Sequence, residues 1–198
     1  MKKVIMVATV ASMIGQFNMS NIHLLQNMGC EVHVACNFKD TSAWSGERVQ
    51  DFLKELRNSG IVYHQIEFPR SPFKIRKVIQ SYRELNFLFK KEKFDLVHCH
   101  TPVAGVLSRI IAHRSKVKTI YTAHGFHFFK GAPKINWIIY YPIEKFFSKW
   151  TNTLITINQE DYHRARKFHA ENVKYIHGVG VDTKKFGSLS IDKEKKRI

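Results

Sequence analysis

The chain is short of cysteine, of acidic residues and of long apolar runs, and each shortage removes a class of protein. Cys30, Cys36 and Cys99 are an odd set without close-pair spacing. They make neither a disulfide framework nor a zinc knuckle, so a reducing cytoplasm is the expected compartment. No apolar stretch approaches the roughly 20 residues that a membrane-spanning helix needs, so the chain is not expected to cross a bilayer. Glycine is also sparse where nucleotide enzymes need it. The segment Val10 to Asn18 after the first strand holds only Gly15, whereas a dinucleotide fingerprint uses three glycines for the turn, the pyrophosphate approach and helix packing. Neither a Gly-Lys-Ser/Thr phosphate loop nor a nucleophile elbow occurs, which weakens NTPase and hydrolase readings.

What is present is regular alternation. At 198 residues and 44% hydrophobic content, the chain has one domain's worth of length and enough apolar surface to fold. Met1-Lys2-Lys3 followed by the apolar Val4 to Ile14 imitates a signal peptide, but it lacks a well-placed small-x-small cleavage site and reads better as a first buried strand. Helical spacing of Met19, Ile22, Leu25 and Met28 follows and stops at Gly29. Strands are expected at Glu31 to Cys36, Ile61 to Ile66, Leu96 to Cys99, Val117 to Thr122, Thr153 to Ile157 and Val173 to His177. Helices are expected between them, at Gly46 to Asn58, Ile75 to Phe89, Val103 to His113, Lys134 to Trp150 and Gln159 to Phe168. Alternation of this kind predicts an α/β, doubly wound, mostly parallel Rossmann-like sheet. It runs over residues 1–182, followed by a basic tail at 183–198 that carries six Lys/Arg and no element of its own.

Chemistry concentrates at two strand ends. Phe94-Asp95-Leu96-Val97-His98-Cys99-His100 ends in His-x-His, and strand alternation puts His98 and His100 on one side. About twenty residues later Thr119-Ile120-Tyr121-Thr122-Ala123 breaks at His124-Gly125-Phe126-His127. Carboxyl ends of strands are where open α/β sheets place ligands. Four histidines suggest a metal, yet no carboxylate or thiolate stands at ligand spacing, and neither metal nor cofactor is expected. A satisfied structural role suits His98, which follows a buried run. His124 precedes a loop glycine, and loops on rigid scaffolds carry function. Gly15 reads equally as a loop glycine with positive φ or as a point where substrate approaches the backbone.

The segments Val4 to Gln16, Asp95 to His100, Tyr121 to Gly125 and Ile176 to Phe186 together resemble the N-terminal half of the retaining glycosyltransferases of family four, in which two Rossmann-like domains face each other in the GT-B architecture. The most specific piece is Gly180-Val181-Asp182-Thr183-Lys184-Lys185-Phe186, similar to the run that leads from the acceptor-binding domain toward the interdomain hinge. The resemblance implies transfer of a sugar from a nucleotide diphosphate to an acceptor, with retained configuration, in polysaccharide assembly. It implies that Ser12, Gly15 and Gln16 face the donor's phosphates and that His124 positions or electrostatically stabilises the reacting sugar or acceptor. His100, Gly125, Phe126 and His127 are then candidates for the acceptor side. The family's donor-binding residues, including a pair of glutamates, belong to a second domain that this chain does not reach, so the fragment alone is expected to be inactive.

Charge suggests where such a protein works. Lys and Arg number 32 against 16 Asp and Glu, a net charge of +16. Arg76, Lys77, Arg83, Lys90 and Lys91 share one face of the long helix, with Phe87 among them, and a basic amphipathic helix of this kind suits an anionic bilayer; a solvated outer helix is the plainer alternative. In the next aromatic-rich segment, Ile139, Ile143, Phe146, Phe147 and Trp150 are expected to meet the sheet. Phe128, Phe129, Trp137 and Tyr141 would then form an outer, cation-rimmed patch for a lipid-linked acceptor. The expectation is a cytoplasmic protein peripherally attached to the inner face of the cell membrane. Its partners would be a nucleotide-sugar donor, held mainly by the missing domain, and a lipid-linked or saccharide acceptor. A basic nucleic-acid-binding module is the competing class. It is disfavoured because the aromatics sit in apolar runs and are not interleaved with the cations. A non-catalytic sugar-nucleotide-binding module also remains open.

Overall fold

The computed structural model describes residues 1–178 and 180, in which seven strands and seven helices alternate. They are β1 (Lys3–Val10), α1 (Ala11–Phe17), α2 (Met19–Asn27), β2 (Glu31–Asn37), α3 (Gly46–Asn58), β3 (Val62–Gln65), α4 (Ile75–Glu92), β4 (Leu96–His100), α5 (Pro102–Ser115), β5 (Lys118–Ala123), α6 (Lys134–Ser148), β6 (Thr153–Thr156), α7 (Gln159–Ala165) and β7 (Asn172–Tyr175). One sheet runs β3-β2-β1-β4-β5-β6-β7, and all six pairings are parallel. The expected doubly wound Rossmann-like fold is therefore the observed one. The boundary at residue 182, the tail at 183–198 and the motif beyond Gly180 lie outside the described residues.

Near-continuous apolar strands are what a parallel sheet covered on both faces requires. On one face Met6, Ala8, Val32, Val34 and Cys36 pack with Ile14, Ile22, Phe52 and Leu56 from α1, α2 and α3. On the other, Ile5, Val7, Val97, Cys99 and Tyr121 pack with Leu85, Phe89, Leu107, Ile111 and Phe168 beneath α4 to α7. No helix among the described residues is long and apolar enough to cross a membrane.

Two expectations change. The segment after β1 is not a loop: α1 starts at Ala11 with no intervening residue. Ala11 and Ile14, three apart, are buried and supply a helical stripe too short to stand out in the sequence. Gly15 lies inside this helix, and a Cβ there would come 2.3 Å from Cη2 of Trp44 and 3.1 Å from Phe52. It is a close-packing glycine beneath an indole ring, without a positive φ, and the space a side chain would need is filled.

The second change is a rotation of α6. Trp137 and Tyr141 turn inward and meet Phe128, at ring distances of 5.7 and 5.3 Å, while Phe146 is exposed. The cause is Glu144, which accepts from the Arg109 guanidinium at 2.9 Å and from the Tyr121 hydroxyl at 3.0 Å, all three buried. Gly105 makes room, since a Cβ there would stand 2.8 Å from the Tyr121 ring, and Arg109 lies over that ring at 4.2 Å. An isolated buried carboxylate would be prohibitively costly. Satisfying Glu144 therefore sets which stripe of α6 faces the core. Phe128 is fully buried and belongs to that core, so only Phe129 of the expected aromatic patch is exposed among Phe128, Phe129, Trp137 and Tyr141.

Candidate functional site

The strand order reverses between β1 and β4, and the crevice outside the carboxyl ends at such a point is where doubly wound sheets bind ligands. Both strands meet there through Thr101, the residue between β4 and α5. Its hydroxyl accepts from the Thr9 backbone N–H at 3.1 Å and lies 2.7 Å from the Thr9 hydroxyl. Thr101 has φ of +65°, a left-handed conformation that a β-branched residue adopts only under constraint. Such outliers gather at functional sites.

Beside this clamp stand three imidazoles. His98 and His100, two residues apart on β4, have ring centroids 4.3 Å apart. His98 Nε2 is 2.8 Å from the Thr122 hydroxyl, and His100 Nδ1 is 3.1 Å from His124 Nε2. His100 is buried, and its Nε2 has no hydrogen-bond partner among the described residues. His124 is half-buried at the end of β5, with the exposed Phe17 ring 6.0 Å away. Burial holds all three neutral. His98 is lowered to about 4, mainly by desolvation and then by His124. His100 is pushed well below the ordinary histidine range, and desolvation alone lowers His124. Because the His124 Nε2 is engaged by His100, its Nδ1 is the atom left for a ligand. A neutral imidazole so oriented can hydrogen-bond and position a substrate group.

Among the other expected site residues, Ser12 is buried in α1 and Gln16 is exposed on the same helix. Gly15 is occupied by Trp44, as described. Gly125 is exposed with φ of +141°, which favours glycine, and a Cβ there would meet nothing within 4 Å. Phe126 is buried and stacked on Phe128 at 4.7 Å, so its ring is not presented to solvent. His127 is exposed and stacks on Tyr140 at 4.5 Å. His100 reaches the site only through His124, being itself sealed from solvent.

Sequence reading missed the residue that fixes the loop after β5. Asp161, buried at the start of α7, accepts from the Phe126 N–H at 2.9 Å and from the Asn158 side chain at 2.8 Å. Asn158 in turn caps α7 by accepting from the Asp161 N–H at 2.8 Å. The cap signal Asn158-x-x-Asp161 is visible in the sequence, but its bond to Phe126, 35 residues away, is not.

The family model described as Glycosyltransferase Family 4 matches residues 19–185, most of the chain. The chain belongs to glycosyltransferase family 4. It is 39% identical over 194 residues to the protein named "Putative glycosyltransferase EpsD" of Bacillus subtilis (strain 168), covering 96% of this chain and 47% of that protein. It is 34% identical over 113 residues to the Escherichia coli UDP-Gal:alpha-D-GlcNAc-diphosphoundecaprenol alpha-1,3-galactosyltransferase, covering 56% of this chain and 29% of that enzyme. The chain thus spans half or less of the curated relatives it matches. Its fold is similar to a glycosyltransferase from Rickettsia africae ESF-5, at TM-score 0.60 and 16% identity over 97% of this chain and 47% of that one. Similarity to Anabaena HepE in complex with UDP and glucose has a TM-score of 0.57 and 15% identity, over 93% of this chain and 46% of that one. The family 4 domain described here thus has the Rossmann-like fold found in a little under half of each of these glycosyltransferase structures.

Proposed function

We propose that this family 4 domain is the acceptor-binding half of a retaining glycosyltransferase that moves a sugar from a nucleotide diphosphate to a lipid-linked acceptor in polysaccharide assembly. The observation that carries the reading is His124, its pKa lowered by burial at the carboxyl end of β5, with its Nε2 on His100, the residue that precedes the constrained Thr101. A fixed neutral donor or acceptor is suited to orienting a hydroxyl or sugar oxygen, and it need not act as a base. The Escherichia coli relative's name supplies the acceptor class, a diphosphoundecaprenol-linked sugar, and the solved HepE complex holds UDP and glucose. The donor is held mainly by a second domain, so residues 1–198 by themselves fold without transferring sugar.

Peripheral attachment to the inner face of the membrane belongs to the same reading. Arg76, Lys77, Arg83, Phe87 and Lys90 are all exposed on α4, a cationic face with an aromatic that suits anionic lipid. Nucleic acid fits less well, because Phe126 and Phe128 are buried and Trp137 and Tyr141 lean against the core half-buried, which leaves these rings poorly placed as a stacking platform.

The test is transfer by the full-length enzyme from a panel of nucleotide sugars to lipid-linked acceptors. His124→Ala should lower kcat by about 10²-fold, the scale for losing one well-placed polar group at a transition state, with little change in melting temperature. Unchanged turnover per folded molecule would make His124 structural, and turnover by residues 1–198 alone at a full-length rate would overturn the division of labour.

A further inference from the structure

A narrow apolar groove opens on the opposite side of the sheet from the histidines, between α4, α5 and α6. Its walls are Pro72 and Val78, Val103 and Val106, and Ile143 and Phe147, and it encloses about 140 Å³. Pockets for compact drug-sized ligands run about 300–1,000 Å³, so this one fits a length of chain better than a whole molecule. Its floor is chemically closed, because Glu144, which reaches it, has both oxygens engaged by Arg109 and Tyr121. Along α5 the lining runs from Pro102 to Leu107, about 7.5 Å at 1.5 Å per residue. Pro102 directly follows Thr101, so one end of the groove meets the carboxyl edge of the sheet where His100 and His124 stand.

The segment that carries Pro72 and Val78 of the groove has a composition of its own. Phe73, Ile75 and Ile79 are large apolar residues exposed to solvent at the start of α4, interleaved with the exposed cations Lys74, Arg76 and Lys77. Ion pairs nearby use Lys39 with Glu67 and Arg70 with Asp40; among the described residues, Lys74, Arg76 and Lys77 enter none. Apolar side chains projecting through unpaired positive charge complement a surface of anionic headgroups over hydrocarbon.

Resting on the proposed lipid-linked acceptor, we infer that this groove holds the first segment of the acceptor's hydrocarbon tail. The tail would leave the bilayer across Phe73, Ile75 and Ile79, pass between Val78 and Val106, and deliver its head group over Pro102 to the edge of the sheet. The occupant is the tail of a membrane lipid, since the lining is apolar apart from the Tyr140 hydroxyl and the engaged Glu144, and the cations beside its entrance complement the anionic headgroups of the bilayer that the tail leaves.

Photolabelling tests the inference with a polyprenyl monophosphate that bears a diazirine in its tail, presented in nonionic micelles to residues 1–198. Adducts should map to 72–78, 102–107 and 140–147, and unlabelled polyprenyl phosphate should compete whereas inorganic phosphate should not. Val106→Trp and, from the opposite wall, Val78→Trp each fill the groove and should reduce labelling about tenfold, with circular dichroism confirming that at least one is folded. Labelling confined to Phe73, Ile75 and Ile79, or unchanged in a folded filled variant, would overturn the groove. A parallel assay separates the two readings. Full-length enzyme that transfers only to lipid-free saccharides sinks the lipid acceptor itself, whereas transfer to the lipid-linked acceptor at an unchanged KM in the filled variants sinks the groove alone.

Discussion

His100 Nδ1 stands 3.1 Å from His124 Nε2, with the first ring buried and the second at the edge of the crevice. The tautomer of the accessible imidazole is thereby coupled to that of the buried one. Replacing His100 by Leu should leave His124 with mixed tautomers, visible in long-range proton–nitrogen NMR spectra. In the full-length enzyme it should lower kcat about tenfold with KM for the nucleotide sugar nearly unchanged. His100→Asn, which keeps a polar atom near the Nδ1 position, should restore most of the rate. A single unchanged His124 tautomer in His100→Leu would reduce His100 to packing.

Stability should fall on mild acidification. His98 and His64 are lowered to about 4, and His100 and His124 are also depressed. Above pH 6.5 the folded and unfolded chains are both neutral at these sites, so stability is level there. Below it the unfolded chain takes up protons that the folded chain refuses, and stability declines until about pH 4. His98 can approach a slope of about 1.4 kcal/mol per pH unit in that window, and the partly exposed His64 and His124 contribute less. Chemical denaturation at pH 7.5, 6 and 5 should show this, with a shallower slope in His98→Asn. An equal slope in that variant would place the proton uptake elsewhere.

Breaking the ion pair under α6 should cost more than any surface change. Glu144→Gln leaves the Arg109 guanidinium buried without a counter-charge, an arrangement that typically costs about 3–5 kcal/mol. Replacing both residues by apolar ones of similar volume should recover most of that loss. Urea unfolding of the three forms measures it, and a loss below about 1 kcal/mol for the single variant would show that Glu144 does not orient α6.

Binding to anionic vesicles should have two separable parts. Neutralising Arg76, Lys77, Arg83 and Lys90 together should remove a salt-sensitive part on the order of 4 kcal/mol, at about 1 kcal/mol per cation near an anionic surface. Changing Phe73, Ile75 and Ile79 to Ser should remove a part that salt leaves alone. Trp137→Ala should instead lower the melting temperature, because the ring packs against Phe128. Co-sedimentation at two salt concentrations checks this. Binding to a short oligonucleotide but not to vesicles would favour the nucleic-acid alternative.

The sequence by itself determined the strands, every helix but α1, the parallel sheet and the two histidine-bearing strand ends. Periods of apolar residues and the glycines that stop helices are local signals, and burial of both sheet faces makes them strong. Exposure of the basic face of α4 was legible for the same reason. Tertiary structure decided what depends on partners distant in the chain. Gly15 is silent in sequence because its reason is Trp44, 29 positions away; the inward stripe of α6 is set by Glu144 meeting Arg109 and Tyr121. Likewise His98, His100 and His124 are alike as letters. Only the packing that buries His100 and leaves His124 at the crevice separates the residue that holds from the residue that is presented, because desolvation and hydrogen-bond geometry arise between strands and not along one.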